Sequence, residues 1–252
     1  MIHFVGAGSG APDLITVRGQ KFLQEADVII YAGSLVNPEL LNEKKEGCKV
    51  YNSATMTLEE VLDVMFEAEK DGLMTVRLHT GDPCLYGAIR EQMDVLDEKG
   101  IAYDYCPGVS SFCGAASALN LEYTLPDVSQ SVIITRMAGR TPVPEKEEIA
   151  SLASHHATMV VFLSTGMLEK LSERLIAGGY IKDTPAAIVY KATWEDERAF
   201  VCTVGTLAET AKKNNITKTA LMIIGDVVTH SHYNRSELYN PAFTTEFREA
   251  TK

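Results

Sequence analysis

Short apolar runs rich in β-branched residues alternate along the chain with longer stretches in which apolar positions recur every three or four residues. Ile2–Val5, Val28–Tyr31, Lys49–Tyr51, Met74–Leu78 and Tyr103–Cys106 have the length and composition of strands. Between them, Val17–Glu25, Leu58–Glu69 and Gly87–Glu98 carry the helical period. In the second of these, Leu58, Val61, Leu62, Met65 and Phe66 share one face, and Glu59, Glu60, Asp63 and Glu67 lie largely on the other. Thr57, with Glu60 three residues on, predicts a capping box at its start. Ser110–Leu119 reads as a helix of small, uncharged residues, and is expected to be buried.

The alternation restarts after the polar stretch Asn120–Gln130. Ser131–Thr135, Thr158–Leu163, Ala186–Tyr190 and Leu221–Gly225 read as strands; Glu145–Ala153, Met167–Gly178 and Leu207–Asn214 read as helices. Phe200–Val204 is expected to be an added strand, antiparallel to a neighbour. The pattern gives an α/β chain in two halves, 1–115 and 116–230, and a polar, aromatic extension over 231–252.

Composition narrows the choice of function. The 252 residues are 46% hydrophobic and 23% charged, enough apolar surface for one large or two small folded domains. Acidic residues outnumber basic ones by 34 to 23, for a formal net charge of −11, which weighs against nucleic-acid and anionic-membrane partners. Cys48, Cys84, Cys106, Cys113 and Cys202 are odd in number and contain no CxxC pair, so neither a disulfide framework nor a structural zinc site is expected. The first residues enter an apolar strand without a basic leader, and no long apolar run follows. The expected compartment is the cytoplasm.

Three glycine-bearing turns follow strands and open helices. Gly6-Ala7-Gly8-Ser9-Gly10-Ala11 fits the G-x-G-x-x-G/A pattern of a dinucleotide loop. Strand two, however, ends Tyr31-Ala32-Gly33-Ser34, without the acid that would hold a ribose, and Pro12-Asp13 interrupts the run into the helix. A tight strand–helix turn is the plainer alternative. The second turn, His79-Thr80-Gly81-Asp82-Pro83-Cys84-Leu85-Tyr86-Gly87, lies where ligands bind in open α/β sheets. Asp82 there is either a ligand for an ammonium or hydroxyl group, or a helix cap. The third, Pro107-Gly108-Val109-Ser110-Ser111, offers hydroxyls and helix-terminal N–H groups to a carboxylate or an adenosine, or simply a serine cap.

Taken together, GAGSGAPDLIT, HTGDPCLYG and CPGVSSF resemble the turns of the tetrapyrrole (corrin/porphyrin) methyltransferases, and the likeness runs from about Ile2 to Val228. Tyr31–Val36 and Arg136–Pro142 are similar to the branch of that family acting on precorrin-4. The resemblance implies two α/β domains, each a mixed sheet flanked by helices, with S-adenosylmethionine in the cleft between them and methylation of (cobalt-)precorrin-4 at ring carbon 11. It places cofactor contacts at Thr80, Gly81, Asp82, Leu85, Ser110 and Ser111, and, in the second half, at Leu163, Ser164 and Ala192. It turns the first glycine loop toward an anionic tetrapyrrole, with Ser9, Arg18, Tyr31, Ser34, Arg136 and Arg140 as substrate contacts. It also implies a homodimer. The chain departs from many relatives at Ser9 and Ala11, where they carry Pro and Asp, and at Ala32, where the uroporphyrinogen-methylating branch has Asp. A base role for that position therefore does not carry over, and no catalytic base is assigned.

Other groups are weaker candidates. Arg77, Arg90 and Lys191 join Arg18, Arg136 and Arg140 as cations beside the turns; the last two best suit bidentate recognition of carboxylates. His155-His156 and His230-x-His232 lack partners at ligand spacing, so no metal site is expected. Cys84 reads as a small buried filler rather than a reactive thiol, Trp194–Glu197 as an exposed turn, and Met65, Met74 and Met93 as core. Methylation of another precorrin ring carbon, or of metal-free precorrin-4, is the alternative that the resemblance leaves within the same class; a nucleotide-binding oxidoreductase and a non-catalytic tetrapyrrole carrier are the alternatives of a different class.

Overall fold

The computed structural model describes residues 1–230 and 233–251, with the side chain of Ser34 also outside the description. Contacts divide the chain into two units: Met1–Gly114 with Ala192–Asp196, and Ala115–Lys191 with Glu197–Lys252.

The first unit is built on five strands: β1 (Ile2–Gly6), β2 (Val28–Tyr31), β3 (Lys49–Asn52), β4 (Thr75–His79) and β5 (Tyr103–Cys106). They lie in the order β3-β2-β4-β1-β5, and every pairing is parallel. A mixed sheet was expected in each half; here the sheet is wholly parallel, because each strand returns through a crossover rather than a hairpin. Central strands β1 and β4 are buried along their whole length, as a sheet covered on both faces requires.

Helix α1 (Val17–Glu25) covers one face through Leu23, which packs with Val5, Ile29, Val76 and Leu78. Helices α2 (Leu58–Lys70) and α3 (Arg90–Glu98) cover the other, where Val61, Leu62, Met65, Met93 and Leu96 meet Phe4 and Ile30. The capping box of α2 is present in both directions: Glu60 N–H donates to Thr57 Oγ1 at 3.3 Å, and Thr57 N–H donates to Glu60 Oε2 at 2.7 Å. Helix α3 starts three residues later than its periodicity suggests, because Tyr86 and Ala88 adopt left-handed backbone angles, with φ of 59° and 49°.

Helix α4 (Ser111–Ala118) straddles the boundary between the units. It is less buried than its composition suggests: Gly114 and Ala115 are buried, but Cys113 and Ser117 are exposed. Small residues permit close packing without requiring it.

The second unit carries β6 (Val132–Arg136), β7 (Thr158–Phe162), β8 (Pro185–Tyr190), β9 (Arg198–Thr203) and β10 (Ala220–Ile224) in the order β6-β7-β10-β8-β9. Only β6 and β7 are parallel, so this sheet is mixed, and β9 pairs antiparallel with β8 as the sequence suggested. Helices α5 (Ile149–Ala153), α6 (Leu168–Ala177) and α7 (Leu207–Lys213) pack Leu168, Leu171, Leu175 and Leu207 onto Met159, Ile188 and Met222. Among the described residues, no helix is long and apolar enough to cross a membrane.

Candidate functional site

In a parallel sheet the turns after the strands gather at one edge, and in the first unit that edge holds all three glycine-bearing turns. β1 and β4 are neighbours whose outgoing chains run to opposite faces, toward α1 and α3. Such a switch point leaves room between the departing loops.

Backbone bonds fix the first two turns to each other. Gly81 N–H donates to Gly8 O at 2.9 Å, Gly8 N–H donates to Gly81 O at 3.3 Å, and Ala7 N–H donates to His79 O at 2.7 Å. Both glycines take positive φ, 84° at Gly8 and 62° at Gly81, angles that side chains resist. A third glycine joins them. A Cβ on Gly108 would lie 2.2 Å from Gly81 O, and one on Gly6 would lie 2.6 Å from both Gly81 O and Gly108 Cα. Ala11 N–H is also engaged, donating to Thr193 Oγ1 at 3.1 Å. A dinucleotide loop needs its N–H groups for phosphate; in this loop Ala7, Gly8 and Ala11 have spent theirs on protein oxygens.

Asp82 links the second turn to the third. Its Oδ1 accepts from Cys84 N–H at 2.9 Å and from the Tyr105 hydroxyl, and its Oδ2 accepts from Gly108 N–H at 2.9 Å. Burial acts to raise its pKa, but these donors outweigh burial and hold it below the ordinary carboxylate value. Tyr105 is correspondingly held neutral by burial and by the Asp82 charge. The capping role weighed for Asp82 thus extends to a tie between turns. Gly81 brings bare backbone to the gap, with its absent side chain 3.4 Å from Ser111 N and 3.5 Å from Ser110 Cα. Ser110 is buried and Ser111 half-buried, and the first N–H groups of α4 have no acceptor within the helix. Thr80 and Leu85 are half-buried beside them.

Beneath the second turn lies a polar stripe on β4. Arg77 is buried, and donates from Nε to Gln92 Oε1 at 3.1 Å and from a terminal nitrogen to Ile30 O at 3.2 Å. Gln92 Nε2 donates in turn to Ala88 O at 2.9 Å. Burial lowers the Arg77 pKa to about 10. His79, on the same face, is 3% exposed, and its Nε2 has no hydrogen-bond partner. Burial, aided by the Arg77 charge, pushes it down to about 3, so it is neutral at ordinary pH.

The remaining expected residues divide between the units. Ser9 is 4% exposed and shares a 3.0 Å hydrogen bond with Thr193 Oγ1. Tyr31 is half-buried at the end of β2, and Arg18 is exposed on α1. Ser34 is outside the described side chains. Ala192 is buried, and its carbonyl lies 2.9 Å from where a Cβ on Gly10 would stand. In the second unit, the parallel pair β6 and β7 brings Arg136 and the Leu163–Ser164 turn to one end. Ser164 donates to Phe162 O at 2.7 Å and accepts Met137 N–H at 2.9 Å, so its hydroxyl stitches the two strand ends together. Leu163 is 64% exposed at φ 52°, an unusual combination for a large apolar residue. Arg136 folds back on its own loop, donating to the carbonyls of Met137, Thr141 and Pro142, while Arg140 stands exposed.

Two groups were not singled out from sequence. Tyr105 was read only as a strand residue, and Trp194 as part of an exposed turn. The turn is there, with Glu195 and Asp196 exposed, but Trp194 is half-buried, and its ring comes within 2.3 Å of a Cβ position on Gly10. Its being the only tryptophan, two residues from Ala192, was the available signal. His232 lies outside the described residues, and among those described no three His, Cys, Asp or Glu side chains form a metal-binding group. Cys48, Cys84, Cys106, Cys113 and Cys202 are all free thiols; Cys84, expected as a buried filler, is exposed because it sits on the outside of the second turn, and burial raises the pKa of Cys113.

A sequence model of the Tetrapyrrole (Corrin/Porphyrin) Methylases matches residues 1–208. The chain belongs to that family. It is 52% identical over 251 residues to the cobalt-precorrin-4 C(11)-methyltransferase of Methanocaldococcus jannaschii, covering 100% of this chain and 97% of that protein. Among solved structures, a cobalt precorrin-4 methyltransferase of cobalamin biosynthesis superposes with a TM-score of 0.88 at 45% identity, covering 90% of this chain and 95% of the other. A uroporphyrin-III C-methyltransferase from Thermus thermophilus, in complex with S-adenosylhomocysteine, superposes with a TM-score of 0.76 at 25% identity, covering 91% and 99%. These methylases therefore account for the three turns, which no single glycine motif could identify.

Proposed function

We propose that this protein transfers a methyl group from S-adenosylmethionine to ring carbon 11 of precorrin-4, with cobalt-precorrin-4 as its substrate form. The observation that carries the reading is the convergence of the second and third turns on the bare backbone of Gly81, beside the start of α4. That arrangement fits the methyl donor. The N–H groups at Ser110 and Ser111, at the start of α4, suit a carboxylate, and the backbone of Thr80–Gly81 with the Leu85 side chain suits an adenosine. When bound, the donor supplies an electrophilic methyl group on a sulfonium.

The chain's own part is alignment. Attack on a methyl group is in line, and a neutral thioether leaves without needing a proton, so positioning is the main requirement; it is worth up to about 7–11 kcal/mol when reactants are held well. Gly8, Gly81, Asp82 and Gly108 set the turns rigidly through the bonds described above. Asp82 is a poor proton acceptor, being ionised at low cost and already satisfied by three donors. Arg140, exposed, and Arg136, on the same loop, are the cations assigned to the substrate's carboxylates. The proposal includes a homodimer acting in the cytoplasm; sedimentation velocity reads the assembly.

The test is incubation of the purified protein with cobalt-precorrin-4 and S-adenosylmethionine. The product should be heavier by one methyl group, located at carbon 11 by NMR with a labelled methyl. Methylation elsewhere on the ring, or none, overturns the reading. Calorimetric titration separates the alternatives: S-adenosylhomocysteine should bind and NAD should not, whereas a carrier would bind neither.

A further inference from the structure

Thr193 stands in a backbone conformation that its side chain opposes. Its φ is 67°, and for a β-branched residue that region is a true outlier. Strain of that kind persists only where surrounding contacts demand it. Here the contacts reach far along the chain. Thr193 Oγ1 accepts Ala11 N–H at 3.1 Å and shares a 3.0 Å hydrogen bond with Ser9 Oγ, 184 positions away. The next residue, Trp194, lays its ring against Gly10, where any side chain would stand within 2.3 Å of the indole. Gly114, at the other side, leaves room for both Ser9 and Thr193: a Cβ there would lie 3.0 Å from Ser9 Oγ and from Thr193 Cγ2. Residues 9, 10 and 11 of the first glycine loop are thus each held by the 192–194 segment.

We propose that Thr193 is a positioning residue that sets the first glycine loop for the tetrapyrrole, working through Ser9 and Ala11, with Trp194 as the wedge that fixes the loop's height. The inference rests on the proposed function for the loop's role, and adds the residue that shapes it. In this reading Thr193 acts through Ser9 and Ala11 rather than on either reactant. It couples the segment carrying Ala192, assigned to the cofactor, to the loop assigned to the substrate. The hydroxyl meets Ser9 and Ala11, and the neighbouring indole meets Gly10 between them.

The single tryptophan makes the geometry measurable without substrate. Thr193→Val keeps the shape and the strain but removes the hydroxyl; Thr193→Ser keeps the hydroxyl; Ser9→Ala cuts one of the two bonds from the other side. In the full-length protein, Thr193→Val should raise acrylamide quenching of Trp194 at least 1.5-fold and raise the tetrapyrrole KM about five- to tenfold. Its Kd for S-adenosylhomocysteine should stay within twofold of wild type. Thr193→Ser should match wild type within twofold on all three readings, and Ser9→Ala should move quenching and KM in the direction of Thr193→Val by a smaller factor. Unchanged quenching and KM in Thr193→Val overturn the proposal. So does a Thr193→Ser variant as impaired as Thr193→Val, or a loss of S-adenosylhomocysteine affinity equal to the loss for the tetrapyrrole. If Thr193→Val does not fold, Ser9→Ala decides alone: no change in its quenching or KM overturns the proposal. A wild-type protein that methylates no precorrin defeats the proposed function instead, and leaves the quenching result to judge the tie.

Discussion

The Asp82 carboxylate accepts the backbone N–H of Gly108 at 2.9 Å, joining two turns that are 26 residues apart. Tyr105 and Cys84 N–H donate to its other oxygen. Asp82→Asn puts an amide where only acceptors fit, so one N–H faces another. The variant should lose at least fivefold in S-adenosylhomocysteine affinity by calorimetry and should also melt at a lower temperature. The acid limb of the wild-type stability curve should carry the same group. Because its folded pKa is depressed, Asp82 contributes stability that is present above its ordinary value of 3.8 and is lost as pH falls through the folded value.

His79 adds a second acid-sensitive step at higher pH. Its folded pKa, about 3, lies below the ordinary 6.5, so between those values the unfolded chain binds the proton and the folded one does not. Stability is therefore complete above pH 6.5 and is lost progressively down to about pH 3, by an amount on the order of a few kcal/mol. His79→Leu removes both the titration and the unpartnered Nε2. Melting temperatures at pH 7 and pH 4.5 should differ less in that variant than in wild type.

Gln92 is the acceptor that keeps the buried Arg77 Nε satisfied, and it also donates to Ala88 O at the start of α3. Gln92→Leu leaves a buried donor without a partner and should cost about 1–3 kcal/mol in urea unfolding. The double variant Arg77→Met with Gln92→Leu should recover part of that loss, because both polar ends are then gone. Additive losses in the cycle would contradict the coupling.

Arg136 and Arg140 should separate in kinetics. Arg140→Ala is expected to raise the tetrapyrrole KM at least fivefold with no change in melting temperature, since the side chain is exposed. Arg136→Ala should raise KM and lower the melting temperature together, because the carbonyls of Met137, Thr141 and Pro142 each lose a donor. Neither should alter S-adenosylhomocysteine affinity.

Much of this was legible in the sequence because it depends on local patterns. Strand positions, the capping box of Thr57 and Glu60, and the antiparallel pairing of β9 follow from periodicity and spacing. The three turns could be located, but their internal bonding could not. Gly8 looked like a ligand-facing glycine and pairs with Gly81; Asp82 looked like a ligand or a local cap and reaches Tyr105 and Gly108. These are contacts between distant segments, to which hydrophobic period is blind. The late start of α3 escaped for a different reason, since left-handed angles at Tyr86 and Ala88 belong to residues with no strong preference for them. Arg77 was visible as a cation near a turn, whereas its burial beneath that turn depends on which face of β4 it occupies.

The contact of Gly6, Gly81 and Gly108 has a consequence for how such a protein can diversify. Three main chains meet there with no room for a methyl group at Gly6 or Gly108 and a left-handed φ at Gly81, so the knot resists change one residue at a time. Change is easier on its outskirts, at residues such as Tyr31 and Arg140, where side chains are half-buried or exposed.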